Sequence, residues 1–171
     1  MSGHSKWSQI KHKKAITDKK KAQLFSKLSK LISLAARKGT SPETNLELKN
    51  AIEQARSFDM PRDNIERAIK KVSDKSTAQL EELSIDAIGP GGIALKIKAI
   101  TDSRNRTIAE IKTILNENGS KMVPPGSISW MFNQPTNITD PTVKNQIDKL
   151  LEALDDQDDV EDVSSNLTEN L

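Results

Sequence analysis

The residues best suited to chemistry stand at the start of the chain, where His4 and His12 flank Trp7 among Lys6, Lys11, Lys13 and Lys14. A protein metal site needs three or four converging donors. These two imidazoles are eight positions apart with no carboxylate cluster beside them, so no metal is expected. The chain has no cysteine, which excludes a thiolate zinc site, an iron-sulfur cluster, a cysteine nucleophile and a disulfide framework together. Gly89-Pro90-Gly91-Gly92 lacks the lysine of a phosphate-binding loop and lies between two alternating segments, so it reads as a turn. The acidic run from Asp155 to Asp162 lacks the central Gly and terminal Glu of a calcium loop and reads as a solvated helix end. With no nucleophile elbow and no paired-carboxylate motif, the sequence predicts a non-enzymatic protein. Catalytic residues, cofactors and a small-molecule substrate are accordingly not expected.

Three groups of cations remain. Lysines as dense as those of the opening segment repel one another, and a polyanion relieves them by counterion release while Trp7 stacks on a base. The alternative is a solvated tail with Trp7 folded back. In Asp59-Met60-Pro61-Arg62-Asp63-Asn64-Ile65-Glu66-Arg67 a helix start explains Asp59, Pro61 and Asp63. It does not explain why Arg62 and Arg67 crowd with Lys70 and Lys71, which form either a basic binding face or a solvated one. In Thr101-Asp102-Ser103-Arg104-Asn105-Arg106-Thr107 a strand gives way to a helix, and Arg104 and Arg106 stand where the helix dipole disfavours cations. They either form an anion site with free helix N–H groups or pair with carboxylates of the acidic half.

The charge is divided along the chain. Residues 1 to 75 hold 18 Lys+Arg against 8 Asp+Glu, a net of +10, whereas residues 76 to 171 hold 8 against 16, a net of −8. A basic N-terminal part is the footprint of a polyanion binder, and the acidic remainder should avoid one. No stretch approaches the roughly 18 apolar residues that span a bilayer, so no membrane partner is expected and a cytoplasmic location is. The basic start has one other reading, a mitochondrial presequence, against which its charge is carried by Lys rather than Arg.

The elements that must position these groups follow from periodicity. Residues 1–23 read as a basic flexible arm. Leu24, Phe25, Leu28, Leu31, Ile32 and Ala35 have helical spacing up to Gly39, Leu46, Leu48, Ile52 and Ala55 suggest a second helix, and Ile65, Ile69 and Val72 a third that begins with Pro61 in its first turn. These three helices make a bundle over residues 24–75. From residue 80 to 171 alternation predicts strands around Leu83 to Ala87 and Ile93 to Ala99, a helix over Ser103 to Asn118, a strand over Ser127 to Phe132, a helix over Pro141 to Leu154 and a strand over Val160 to Leu167. The expected fold class is α+β: an N-terminal three-helix bundle, then a mixed or antiparallel sheet with helices on one face.

GHSKW, IKHKKA, FSKL, MPRDNIERAI, GPGG, TDSRNRT, GSISWMF and LLEALDDQDDVEDV, in that order from Gly3 to about Leu167, resemble the YebC/PmpR family of probable transcriptional regulators, to which mitochondrial translational activators of cytochrome c oxidase also belong. The resemblance implies a helical N-terminal domain, an α+β remainder, DNA binding and transcription regulation in some members, and ribosome-associated translation regulation in others. It departs at residues 133–140, a short loop standing where the family pattern inserts a further domain. The chain reads as a compact form whose nucleic-acid-binding candidates are His4, Lys6, Trp7, Lys11, His12, Lys13, Lys14, Arg62, Arg67, Arg104 and Arg106. Its expected partner is DNA, with ribosomal or transfer RNA as the alternative.

Overall fold

The computed structural model describes residues 18–75 and 79–168. Among them, those within 18–82 together with 100–103 form one compact unit, and 83–99 with 104–168 form the other.

The first unit is built on helix α1, Asp18–Ala35, which begins ahead of the Leu24 start that periodicity suggests. Lys19, Lys20, Lys21 and Ala22 are good helix formers, and Asp18 in the first turn complements the dipole. Residues 18–23, expected to belong to the arm, are therefore helical, their lysines remaining exposed and the Lys21 ammonium lying 5.7 Å from the Phe25 ring centroid. A short 3-10 turn, Ala36–Lys38, runs to Gly39, whose φ of 149° stops the helix. Helix α2 spans Leu46–Ser57 and α3 spans Arg62–Lys70. Leu28 and Ile32 from α1 bury against Leu48, Ile52 and Ala55 from α2 and Ile65 and Ala68 from α3. The Ser33 hydroxyl donates to the Ala68 carbonyl at 2.7 Å, tying α1 to α3 inside this core.

Two local expectations change. Leu46, counted on the inner face of α2, is exposed, because Asn45 caps the helix by accepting the Leu48 N–H at 3.2 Å and Leu46 is left in the first position. Pro61 occupies the N-cap of α3 rather than its first turn, and Asp63 is the acidic residue of that turn.

Strands β1, Glu81–Ile88, and β2, Ala94–Thr101, form the hairpin around Pro90–Gly92, and their residues 83–88 and 94–99 belong to the second unit. Gly91 and Gly92 there have φ of 72° and 77°. Helix α4, Arg104–Glu117, leads to β3, Lys121–Val123, and helix α5, Pro141–Asp155, to β4, Val160–Ser165. The sheet order is β3-β1-β2-β4, with β3 antiparallel to β1 and β4 antiparallel to β2. Leu83, Ile85, Leu95, Ile97 and Val163 on one sheet face bury against Ile111 and Leu115 of α4 and Ile147, Leu150 and Leu154 of α5. The fold is thus α+β, with the helical part preceding an antiparallel sheet covered by helices on one face.

The third strand is not Ser127 to Phe132. Ile128, Trp130 and Phe132 imitate strand alternation, but the backbone closes successive turns there, Ser127 N–H to Pro124 C=O, Ser129 to Gly126 and Met131 to Ile128, and Ser129–Asn133 is a 3-10 segment. Lys121–Val123 takes the edge position, pairing Asp86 with Val123 and Ile88 with Lys121. Too short to show alternation, it is made a strand by its partner. The segment after Pro124 then crosses the sheet face turned away from the helices. Gly126 N–H donates to Asp86 of β1 at 2.8 Å, Phe132 lies beside Lys96 of β2, and Asn166, just past β4, donates to the Met131 and Gln134 carbonyls. Loop 133–140 closes this strap, with Thr136 N–H donating to the Asn166 carbonyl at 2.7 Å and Thr168 N–H to the Thr136 carbonyl at 2.9 Å.

Candidate nucleic-acid interface

His4, Lys6, Trp7, Lys11, His12, Lys13 and Lys14 lie outside the described residues. What continues the basic segment is the beginning of α1, where Lys19, Lys20 and Lys21 stand exposed. In α3 the inner positions Ile65 and Ala68 leave Arg62, Glu66, Arg67 and Lys70 on the outer surface. The two arginines there differ. Arg62 Nε meets Glu66 Oε1 at 2.8 Å, an exposed i,i+4 pair of the kind that contributes only about 0.3–0.5 kcal/mol and opens readily to a competing anion. Arg67 donates to neutral oxygens, the Asn64 side-chain carbonyl and the Asp63 backbone carbonyl, and so holds its full charge at the surface.

Arg104 and Arg106 share the first turn of α4. Arg104 is exposed. Arg106 Nη2 sits 3.0 Å from Asp159 Oδ2, with the arginine side chain 46% exposed and the carboxylate only 4%. The same oxygen accepts the buried Thr107 hydroxyl at 2.8 Å and Gln157 Nε2 at 3.3 Å. Gln157 in turn donates to Glu110 and accepts from the backbone N–H groups of Asp159 and Val160, which fixes the entry into β4. Of the two roles open to this arginine, pairing with a carboxylate of the acidic half is therefore realised. The acidic run is correspondingly not all solvated: Gln157 and Asp159 are buried while Asp156 and Asp158 face water. Periodicity gave no signal for this, since a buried aspartate and an exposed one look alike within an acidic run.

Among the described residues no group of three or more His, Cys, Asp or Glu side chains can hold a metal ion, and no helix is long and apolar enough to cross a membrane.

Residues 5–75 match the family described as TACO1/YebC protein N-terminal domain, and residues 80–142 match that described as TACO1/YebC second and third domain. The chain belongs to the TACO1/YebC family. It is 44% identical over 160 residues to a protein of Halothermothrix orenii named probable transcriptional regulatory protein, covering 91% of this chain and 63% of that one. Relatives carrying the same name in Pseudothermotoga lettingae and Chloroherpeton thalassium are 42% and 44% identical, covering 93% and 99% of this chain and 67% and 71% of theirs. Several further relatives so named are covered over only 56% to 62% of their length. The fold superposes on a conserved hypothetical protein of Aquifex aeolicus with a TM-score of 0.81 at 29% identity, over 96% of this chain and 97% of that one. This TACO1/YebC chain thus spans about two thirds of the length of the curated relatives it matches, and its strap and loop 133–140 run directly from Val123 to α5.

Proposed function

We propose that this TACO1/YebC chain is a non-enzymatic regulator of gene expression that holds nucleic acid through phosphate contacts of its basic N-terminal part. The observation that carries this reading is the exposure of Lys19, Lys20, Lys21, Arg62, Arg67 and Lys70 on the helical unit, continuing the lysine-rich segment before Asp18. Contacts of this kind depend on charge rather than base sequence, and they position a protein on its target. The relatives' shared name favours duplex DNA as that target and transcription as the process. One observation favours a second reading, ribosomal or transfer RNA and an action on translation: Asp156 and Asp158 lie exposed beyond α5. A long duplex would be repelled by such a surface, whereas RNA recognised by shape and local phosphate contacts can avoid it. The setting of either is the cytoplasm.

The test is affinity as a function of salt, measured in parallel on duplex DNA and on ribosomes. Each phosphate neutralised contributes about −0.9 to the slope of log affinity against log salt on duplex, or about −0.7 on single strands. Deleting residues 2–17 should make the slope shallower by several units, and changing Lys19, Lys20 and Lys21 to Gln should flatten it further. A deletion variant with unaltered affinity and slope on both targets would sink the reading.

A further inference from the structure

The cations of α3 are neutralised unevenly along its length. At its start Arg62 stands beside two exposed carboxylates, Asp63 and Glu66, and is paired with the second. At its end Arg67, Lys70 and Lys71 are all exposed, and among the described residues no ion pair reaches any of the three. The Lys71 N–H donates to the Arg67 carbonyl, so this turn is helical and the three positions are neighbours, with Cβ atoms about 5–6 Å apart. Like charges at that spacing repel one another.

The surroundings do not cancel this charge. Asp74, one turn on, is followed by Lys75. Helix α1, joined to α3 through Ser33 and Ala68, has no carboxylate after Asp18. The C-terminal end of a helix carries roughly half a negative charge and favours a cation in its last turn. That accounts for one of the three and leaves the others without an electrostatic reason. At the start of α3 the balance is reversed, because Asp63 and Glu66 outweigh Arg62 together with the roughly half positive charge of the helix start. Arg67 is also held in place. Its Nη2 donates to Asn64 Oδ1 and its Nε to the Asp63 carbonyl at 3.4 Å. Both acceptors are uncharged, so the guanidinium is oriented without being neutralised.

We infer that Arg67, Lys70 and Lys71 form the phosphate grip of α3, that Asn64 positions Arg67 within it, and that Asp63 and Glu66 keep Arg62 outside. The ligand is the phosphodiester backbone of a nucleic acid, held without reading its bases. This rests on the nucleic-acid reading above and narrows it, on α3, to named contacts.

The test is the salt dependence of binding by the full-length protein, followed in parallel on duplex DNA and on ribosomes. Lys70→Gln combined with Lys71→Gln should weaken binding at low salt and flatten the slope of log affinity against log salt, on duplex by about 0.9 for each phosphate no longer neutralised. Either lysine changed alone should give part of the effect. Arg67→Gln should also flatten the slope, and Arg67→Lys should restore it. Asn64→Ala should weaken binding in the parent and have no effect in the Arg67→Gln background, a dependence that a purely structural role would not produce. Arg62→Gln should change the slope less than Arg67→Gln does, and Glu66→Gln should steepen it. Lys49→Gln, at an exposed lysine of α2, measures the effect of removing any one surface cation. A response on duplex alone or on ribosomes alone upholds the grip and names the nucleic acid that fills it. Variants of the grip that melt like the parent and lose no more affinity or slope than Lys49→Gln overturn the inference, as does an Arg62→Gln effect equal to that of Arg67→Gln. In either case salt-dependent binding by the parent keeps the nucleic-acid reading standing. A parent protein that binds neither target removes that reading itself.

Discussion

Changing Arg106 to Gln separates the two arginines of the α4 start by stability rather than by binding. Its guanidinium meets a carboxylate that is almost wholly out of water, 3.0 Å away. A hydrogen bond to a charged group contributes about 1.5–3 kcal/mol, and removing one partner of a fully buried pair costs about 3–5 kcal/mol. Because the Arg106 side chain is 46% exposed, water screens its end of the pair and the lower range applies. The Thr107 hydroxyl and Gln157 amide remain on Asp159 in the variant and soften the loss. We therefore expect Arg106→Gln to cost about 1.5–3 kcal/mol, which at an m-value of about 1–3 kcal/mol/M moves the urea midpoint down by roughly 1 M. Arg104→Gln, which leaves the Arg106–Asp159 pair in place, should cost less than Arg106→Gln. A cycle with Asp159→Asn should return a coupling energy of about 1 kcal/mol or more between 106 and 159. Equal midpoints for the parent and both arginine variants, with nucleic-acid affinity lost in both, would refute the reasoning and make Arg106 a phosphate ligand first.

Three other outcomes follow from local geometry. Gly91→Ala should lower the melting temperature sharply in a thermal scan, because φ of 72° costs an L-residue about 1–2 kcal/mol and the new Cβ would lie 2.8 Å from Ile138 Cδ1 and 2.9 Å from Val143 Cγ1. Asn166→Ala should speed amide exchange in loop 133–140 and cost about 1–3 kcal/mol, since the buried Ala94 N–H loses the acceptor it now has at 2.8 Å. The Ser41 hydroxyl, and then the backbone, hold the Glu43 carboxyl below the usual glutamate value. Its stabilising bonds are therefore present at neutral pH and lost as the pH falls through that lowered value. A side-chain NMR titration should show the lowered midpoint, and Ser41→Ala should raise it.

Helices and hairpin were legible because each repeats a period long enough to register. Leu28 with Ile32, Ile147 with Leu150, and the alternation of Leu95 and Ile97 each mark one face of one element. The start of α1 was not, since Lys19 to Lys21 carry no apolar signal, and their helicity comes from propensity and from continuity with Phe25 and Leu28. The third strand was misplaced because Ile128, Trp130 and Phe132 alternate within successive turns, while Lys121–Val123 is a strand only through its ladder to β1.

From the sequence alone came the α+β class, the division of charge between a basic start and an acidic remainder, the family resemblance and the loop 133–140. All of these depend on local composition, periodicity or the order of motifs. Tertiary structure decided what each polar residue meets. Arg106 and Asp159 are 53 positions apart in the chain and become partners only because α4 and the entry into β4 lie side by side. Trp130 is left in water on a strap that is fastened to Asp86 of β1 and to Asn166 just past β4. Burial and pairing depend on the whole packed surface, and no local spacing encodes them.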